Sequence, residues 1–153
     1  MNYRIISLFV SCLFVCCCLS FSFAQEKKPF DLDQYFNRNI NDSERVLIKE
    51  NISQYSIKIN ETPDNPALYI NRGVQYAFLG LYPDAISDYN KALGLDSTIA
   101  EAYYNRGIAK SRFAFTKGAC VDVKKSALLG LPQGKELYDK KCGLYKAELG
   151  GLP

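Results

Sequence analysis

From Asn41 onward the chain alternates short apolar stripes with polar gaps at a three-to-four spacing, the period of helices that bury one face. Leu68 to about Leu79 predicts one helix, with Pro66 suited to its first turn. Gly80 punctuates the chain, and a second helix is expected from near Pro83, carrying Ala85, Ile86, Tyr89, Ala92 and Leu93 on one face. Asp96-Ser97 closes it with turn chemistry and offers a cap to the next helix. The pattern then starts again. Tyr69-Ile70-Asn71-Arg72-Gly73-Val74 recurs as Tyr103-Tyr104-Asn105-Arg106-Gly107-Ile108, a shift of 34 residues. The same shift matches Ala85 to Ala119, Asp88 to Asp122, Lys91 to Lys125 and Leu95 to Leu129.

A fixed period of this length is the mark of stacked supersecondary units. Gly73 and Gly107 fall inside predicted helices, where glycine costs about 1 kcal/mol against alanine. The expected return is close approach of the partner helix, with Ala85 and Ala119 at the same crossing. Tyr69, Tyr76, Tyr82 and Tyr89 offer flat surfaces to fill between helices, so they read as core before they read as a ligand cage. Asp88 and Asp122 repeat at the structural period and read as surface helix residues. Arg72 and Arg106 are either solvated or hold neighbouring helices together.

The pattern resembles the tetratricopeptide repeat (TPR) family. Tyr69, Gly73, Tyr76, Gly80, Tyr82, Ala85, Tyr89, Ala92 and Leu95 occupy its packing positions in residues 66–99. Residues 100–133 match less completely: Lys110 replaces an aromatic, Ala114 a glycine and Ser126 an alanine, and Leu131-Pro132 ends the unit one residue out of register. The resemblance implies an all-α fold, a short right-handed superhelical stack of antiparallel helix pairs with about two to three repeats and a C-terminal capping helix. Residues 25–65 hold an N-terminal arm followed by a degenerate repeat over 32–65 or by a single capping helix. The degenerate repeat is favoured by Tyr35-Phe36-Asn37-Arg38-Asn39-Ile40, a further copy of the motif with Asn39 in the glycine place. For the capping helix speaks Asn41 with Glu44, a capping box that would open a helix to about Asn60. Residues 134–153 are expected to cap the other end with one amphipathic helix from Gly134 to Leu149, carrying Leu137, Leu144 and Ala147.

Residues 1–24 have the parts of a signal peptide: Arg4, an apolar run from Ile5, and Ser22-Phe23-Ala24 before a cleavage point at Gln25. An exported protein, periplasmic or secreted, is the expectation, with a retained membrane anchor as the alternative. Of six cysteines, Cys12, Cys16, Cys17 and Cys18 would leave with that segment. Cys120 and Cys142 remain, as a bridge in an oxidising compartment or as buried thiols. The resemblance favours the bridge, since Asp122-Val123-Lys124-Lys125 followed by Cys142 resembles the ending of TPR proteins in which those two cysteines pair.

Composition narrows the function. The chain is 48% hydrophobic and 23% charged with a formal charge of +3, so a folded core is expected and an electrostatic case for nucleic acid is weak. Lys124-Lys125 and Lys140-Lys141 read as solvated helix faces. The chain has no histidine, which excludes a histidine-based triad and a histidine zinc site. There is no glycine-rich phosphate loop. The expectation is therefore a protein that is not an enzyme, with no catalytic residues, no cofactor and no metal.

In the TPR family the first helix of each pair lines a hollow side that commonly holds a peptide. Carried onto this sequence, that groove is Ile70, Asn71, Val74, Ala77 and Phe78, then Glu101, Tyr104, Asn105, Ile108, Ser111 and Arg112. Asn71 and Asn105 have amides that can both donate to and accept from a peptide backbone, and Arg112 can pair with a carboxylate. Some family members grip a C-terminal carboxylate with a basic residue four positions before such an asparagine. Here those places hold Ala67 and Glu101, so a clamp on a chaperone tail is not expected. Phe78, Leu79, Leu81, Tyr82, Phe113 and Phe115 are expected to leave an apolar patch for a protein partner. The expected role is a protein-interaction module acting outside the cytoplasm. The alternative is a structural or self-associating subunit, a homo-oligomer or a groove filled by its own termini. Membrane contact would follow only from a retained N-terminal segment.

Overall fold

The computed structural model describes residues 40–112 and 116–152. The expected export segment 1–24 and the arm with its Tyr35 motif therefore lie outside the described residues, as do Phe113 and Phe115. The described residues belong to a compact unit spanning Asp31–Pro153. They form α-helices and no strand: α1 (Asp42–Glu61), α2 (Pro66–Phe78), α3 (Tyr82–Leu95), α4 (Ala100–Ser111), α5 (Lys117–Leu128), α6 (Pro132–Lys141), a 3₁₀ turn (Gly143–Tyr145) and α7 (Lys146–Leu149). From α1 to α6 each helix packs on the next along the chain, and α2 also touches α4. This is an all-helical, TPR-like stack of helical hairpins.

Local chemistry sets the helix limits. The Asn41 side chain accepts from the Glu44 amide at 2.9 Å, and Glu44 accepts from the Asn41 amide at 3.1 Å, closing the capping box that starts α1. Asn65 caps α2 just ahead of Pro66, and Thr116 caps α5. Asp96 does not cap α4. It accepts from the amide and hydroxyl of Thr98, shaping the α3–α4 turn, and Ile99 takes the cap position without a side-chain bond. Gly80 and Gly130 end α2 and α5 with φ of 76° and 91°. The amides of Leu81 and Leu131 then reach back to the carbonyls of Tyr76 and Ser126. Leu131-Pro132 falls out of the 34-residue register because α5–α6 uses this tight glycine turn, which α3–α4 lacks.

The expected single helix from Gly134 to Leu149 is corrected. It starts at Pro132 and breaks at Cys142, whose disulfide to Cys120 holds it against α5, and Gly143 starts the 3₁₀ turn. Leu144, expected on the apolar face, is 93% exposed at that break. The last residues still cover the stack. Leu149 and Leu152 pack on the core of Ile108, Cys120, Val123, Leu137, Tyr138 and Cys142. The Tyr138 hydroxyl donates to the Gly150 carbonyl at 2.8 Å, and Lys124 donates to the Leu149 carbonyl.

The glycine crossings are where the repeat predicts them. A Cβ on Gly73 would stand 2.7 Å from the Tyr89 ring, and one on Gly107 would stand 2.8 Å from a Val123 methyl. Tyr89 and Val123 hold one position in successive units, so the two crossings are equivalent. Ala85 and Ala119 are fully buried, and the Ala119 carbonyl would stand 3.1 Å from a Cβ on Gly107.

Candidate functional site

Arg72 and Arg106 decide what α2 and α4, the first helices of their hairpins, can offer a ligand. In α2, Arg72 donates from Nε and Nη2 to the two carboxylate oxygens of Asp88 on α3, at 2.8 and 2.7 Å. Its Nη1 reaches Ser56 on α1 at 3.0 Å. One repeat later Arg106 repeats the arrangement, with 2.9 and 2.6 Å to Asp122 on α5 and 2.7 Å from Nη1 to Asn90 on α3. Lys110 adds a second cation on Asp122 at 2.8 Å. Each arginine thus ties its own hairpin together and also grips the preceding helix. Planar, two-pronged pairing of this kind fixes geometry as well as charge.

This corrects the reading of Asp88 and Asp122 as surface residues. Both are buried, Asp122 to 2% exposure, because the guanidinium and lysine groups repay part of their lost hydration. The bonds to Asp88 and Asp122 hold the Arg72 and Arg106 guanidiniums above their ordinary pKa, against the opposing effect of partial burial. Tyrosines flank them: Arg72 lies 5.9 and 5.8 Å from the Tyr69 and Tyr76 rings, and Arg106 lies 5.4 Å from Tyr103. Burial pushes the Tyr89 phenol well above its usual value, as expected of a core residue.

The predicted groove residues divide into framework and surface. Ile108 is 1% exposed inside the C-terminal core, so no ligand can reach it, and it leaves the candidate site. Apolar side chains of α5 and α6 close over that position. Tyr104 is half-buried against the same core. Ile70 and Val74 are half-buried on the cluster of Ala77, Ala85, Tyr89 and Ala109, which joins α4 to the α2–α3 hairpin. Phe78 is half-buried. Asn71 is exposed on α2 and Asn105 half-buried on α4, one repeat apart. Arg112 follows the last turn of α4, with its guanidinium 5.4 Å from the Tyr82 ring. Of the expected apolar patch, Leu81 is exposed while Phe78, Leu79 and Tyr82 are half-buried.

Cys120 and Cys142 are joined in the structure, with 5.7 Å between their Cα atoms, and both are fully buried. Lys124 is not a solvated charge, since it holds the C-terminal turn. The paired groups on Ser56, Arg72 and Asp88 were missed as a unit. The signal was available: the spacing of 16 residues on either side of Arg72 recurs around Arg106. Among the described residues no cluster of His, Cys, Asp or Glu could hold a metal, and no helix is long and apolar enough to cross a membrane.

No protein-family model matches the chain. Curated relatives include Hsp70-Hsp90 organizing protein 2 of Arabidopsis thaliana, 30% identical over 82% of this chain and 24% of that one. The Hsp70-Hsp90 organizing protein of Triticum aestivum is 27% identical over 76% of this chain and 22% of its own. The chain thus spans about a quarter of the length of the curated relatives it matches. A similar solved structure is the first TPR of Spaghetti (RPAP3) bound to the HSP90 peptide SRMEEVD. It superposes with a TM-score of 0.53 at 26% identity, covering 66% of this chain and 92% of that one. These likenesses overturn the expectation of export: the curated relatives are named Hsp70-Hsp90 organizing proteins, and the similar structure is bound to an HSP90 peptide.

Proposed function

From a TPR-like stack whose neighbour holds a peptide, we propose that this protein is a non-enzymatic interaction module that binds an extended segment of a protein partner across α2 and α4. The observation that carries the reading is the pair Asn71 and Asn105. They stand at equivalent positions of adjoining inner helices, outside the buried core, with amides able to match a peptide backbone. Ile70, Val74 and Tyr104 supply half-buried apolar surface beside them. The likeness to Hsp70-Hsp90 organizing proteins favours a partner from a chaperone assembly.

A groove filled by the chain's own C-terminus finds less support. The described bonds of that segment go to Lys117 and Lys124 on α5 and to Tyr138 and Asp139 on α6. None goes to Asn71 or Asn105. Crosslinking in cells, comparing the wild type with Asn71→Ala/Asn105→Ala, tests the proposal. Loss of a specific partner from the double variant is the expected result, and an unchanged set of crosslinked proteins would overturn the groove assignment.

A further inference from the structure

We infer that the α2–α4 face selects an extended segment carrying a basic side chain, in preference to an acidic segment or a terminal carboxylate. The inference rests on the groove reading above and names its ligand class.

The argument is an inventory of charge. Arg72 is the one cation on α2, and Arg106 and Lys110 are the cations on α4. Both arginines spend three nitrogens inside the stack, two on a buried aspartate and one on the preceding helix. Lys110 is held by the same Asp122. Turning Arg72 toward a ligand carboxylate would strand buried Asp88 without its partner, and turning Arg106 or Lys110 would leave buried Asp122 with one cation of two, costs that a single exposed ion pair does not recover. The two inner helices thus hold cations that are committed to framework. Their one carboxylate is Glu101, exposed in the first turn of α4, and no ion pair among the described residues uses it. The free charge on this face is negative.

Arg112 does not reverse the balance near Glu101. It lies about 16 Å further along the helix axis, at a rise of about 1.5 Å per residue, and is stacked over Tyr82. The peptide SRMEEVD, held by the similar structure, ends in two glutamates, a valine and an aspartate. Placed over Ala67 and Glu101, such a tail would meet no free cation and one like charge. A lysine or arginine at that point would meet its complement.

The test measures fluorescence anisotropy with two amidated heptapeptide libraries of matched apolar content, one bearing lysine and one glutamate, alongside SRMEEVD. The full chain should bind the lysine library about 2–5-fold more tightly at low salt, the range of one exposed ion pair, and lose the preference at high salt. Glu101→Gln should abolish the preference and Glu101→Lys reverse it, while Asn71→Ala/Asn105→Ala should weaken both libraries. Circular dichroism checks that the exposed substitutions leave the helices intact. If SRMEEVD or the glutamate library binds as well as the lysine library, or Glu101→Gln leaves the preference unchanged, the charge inference fails while the groove stands. If neither library binds, or binding ignores the asparagine variants, the groove reading fails and takes this inference with it.

Discussion

At the scale of the residue, the glycines show how far a sequence can specify a contact. Gly73 and Gly107 were legible as close crossings because glycine inside a helix needs a reason, and the 34-residue recurrence supplied one. That Tyr89 and Val123 would crowd them was not legible, since it depends on how α3 is rotated on α2 and α5 on α4. Gly134 was read only as the start of a helix. A Cβ there would lie 2.1 Å from the Ser126 hydroxyl oxygen and 2.9 Å from the Ala127 nitrogen, which is backbone and cannot swing aside. Gly134→Ala should therefore destabilise the fold by about 1–3 kcal/mol despite alanine's better helix propensity. Gly94, in the last turn of α3, has nothing within 4 Å of its would-be Cβ and no positive φ. Gly94→Ala should stabilise by up to about 1 kcal/mol. Urea unfolding of both variants checks the opposed signs; a stabilising Gly134→Ala would refute the tight α5–α6 crossing.

Among the elements, the arginine–aspartate ties are the joints of the stack. Asp122 serves Arg106 and Lys110, whereas Asp88 pairs with Arg72 alone among the described residues. Asp122→Ala should therefore cost more than Asp88→Ala, about 3 kcal/mol against about 2, after allowance for the partial exposure of the cations. A double-mutant cycle of Arg106 with Asp122 would measure the coupling directly. Equal losses in the two single variants would show that Lys110 contributes nothing. Helix existence was well legible here, because capping chemistry is local: Asn41 and Glu44 announced the start of α1. The break at Cys142 was not, because it depends on where α5 stands. Beyond that break, Asp139 accepts from Lys146 at 2.9 Å, and this bond first, then the nearby lysine charges, hold its carboxyl below the usual range. A depressed carboxyl contributes stability above its unfolded pKa and loses it as pH falls through the folded value. The protection of residues 146–149 against hydrogen exchange, relative to the intrinsic rate at each pH, should accordingly fall as the solution is acidified through that range, and Asp139→Asn should remove this step.

For the molecule as a whole, the two ends of the stack are finished differently. On α1, Val46, Leu47 and Ile57 are exposed, and Gln54 stands where the next unit has Asp88. Asn39 holds the glycine place of the 34-residue motif in the sequence and lies outside the described residues. The periodicity made the stack legible while leaving its company illegible: an apolar N-terminal run has the same residues whether or not it directs export, and only the likeness to chaperone organizers corrected that expectation. At the other end, α6 and the C-terminal turn close over Ile108, Val123 and Tyr138 with a disulfide beneath. The bridge spans 22 positions of sequence, so chain entropy assigns it about 3 kcal/mol through restriction of the unfolded state. Both sulfurs are fully buried in apolar surroundings, and reduced cysteines pack as small apolar residues, so Cys120→Ala/Cys142→Ala should retain the native helices. The double variant should lose about 3 kcal/mol in urea unfolding. Its faster hydrogen exchange should be concentrated in α6 and the residues after it, while α2 and α3, held by Arg72 and Asp88, stay protected. Uniform loss of protection from α1 to α6 would mean that the stack unfolds as one unit, and that the disulfide guards the whole fold and not its last layer.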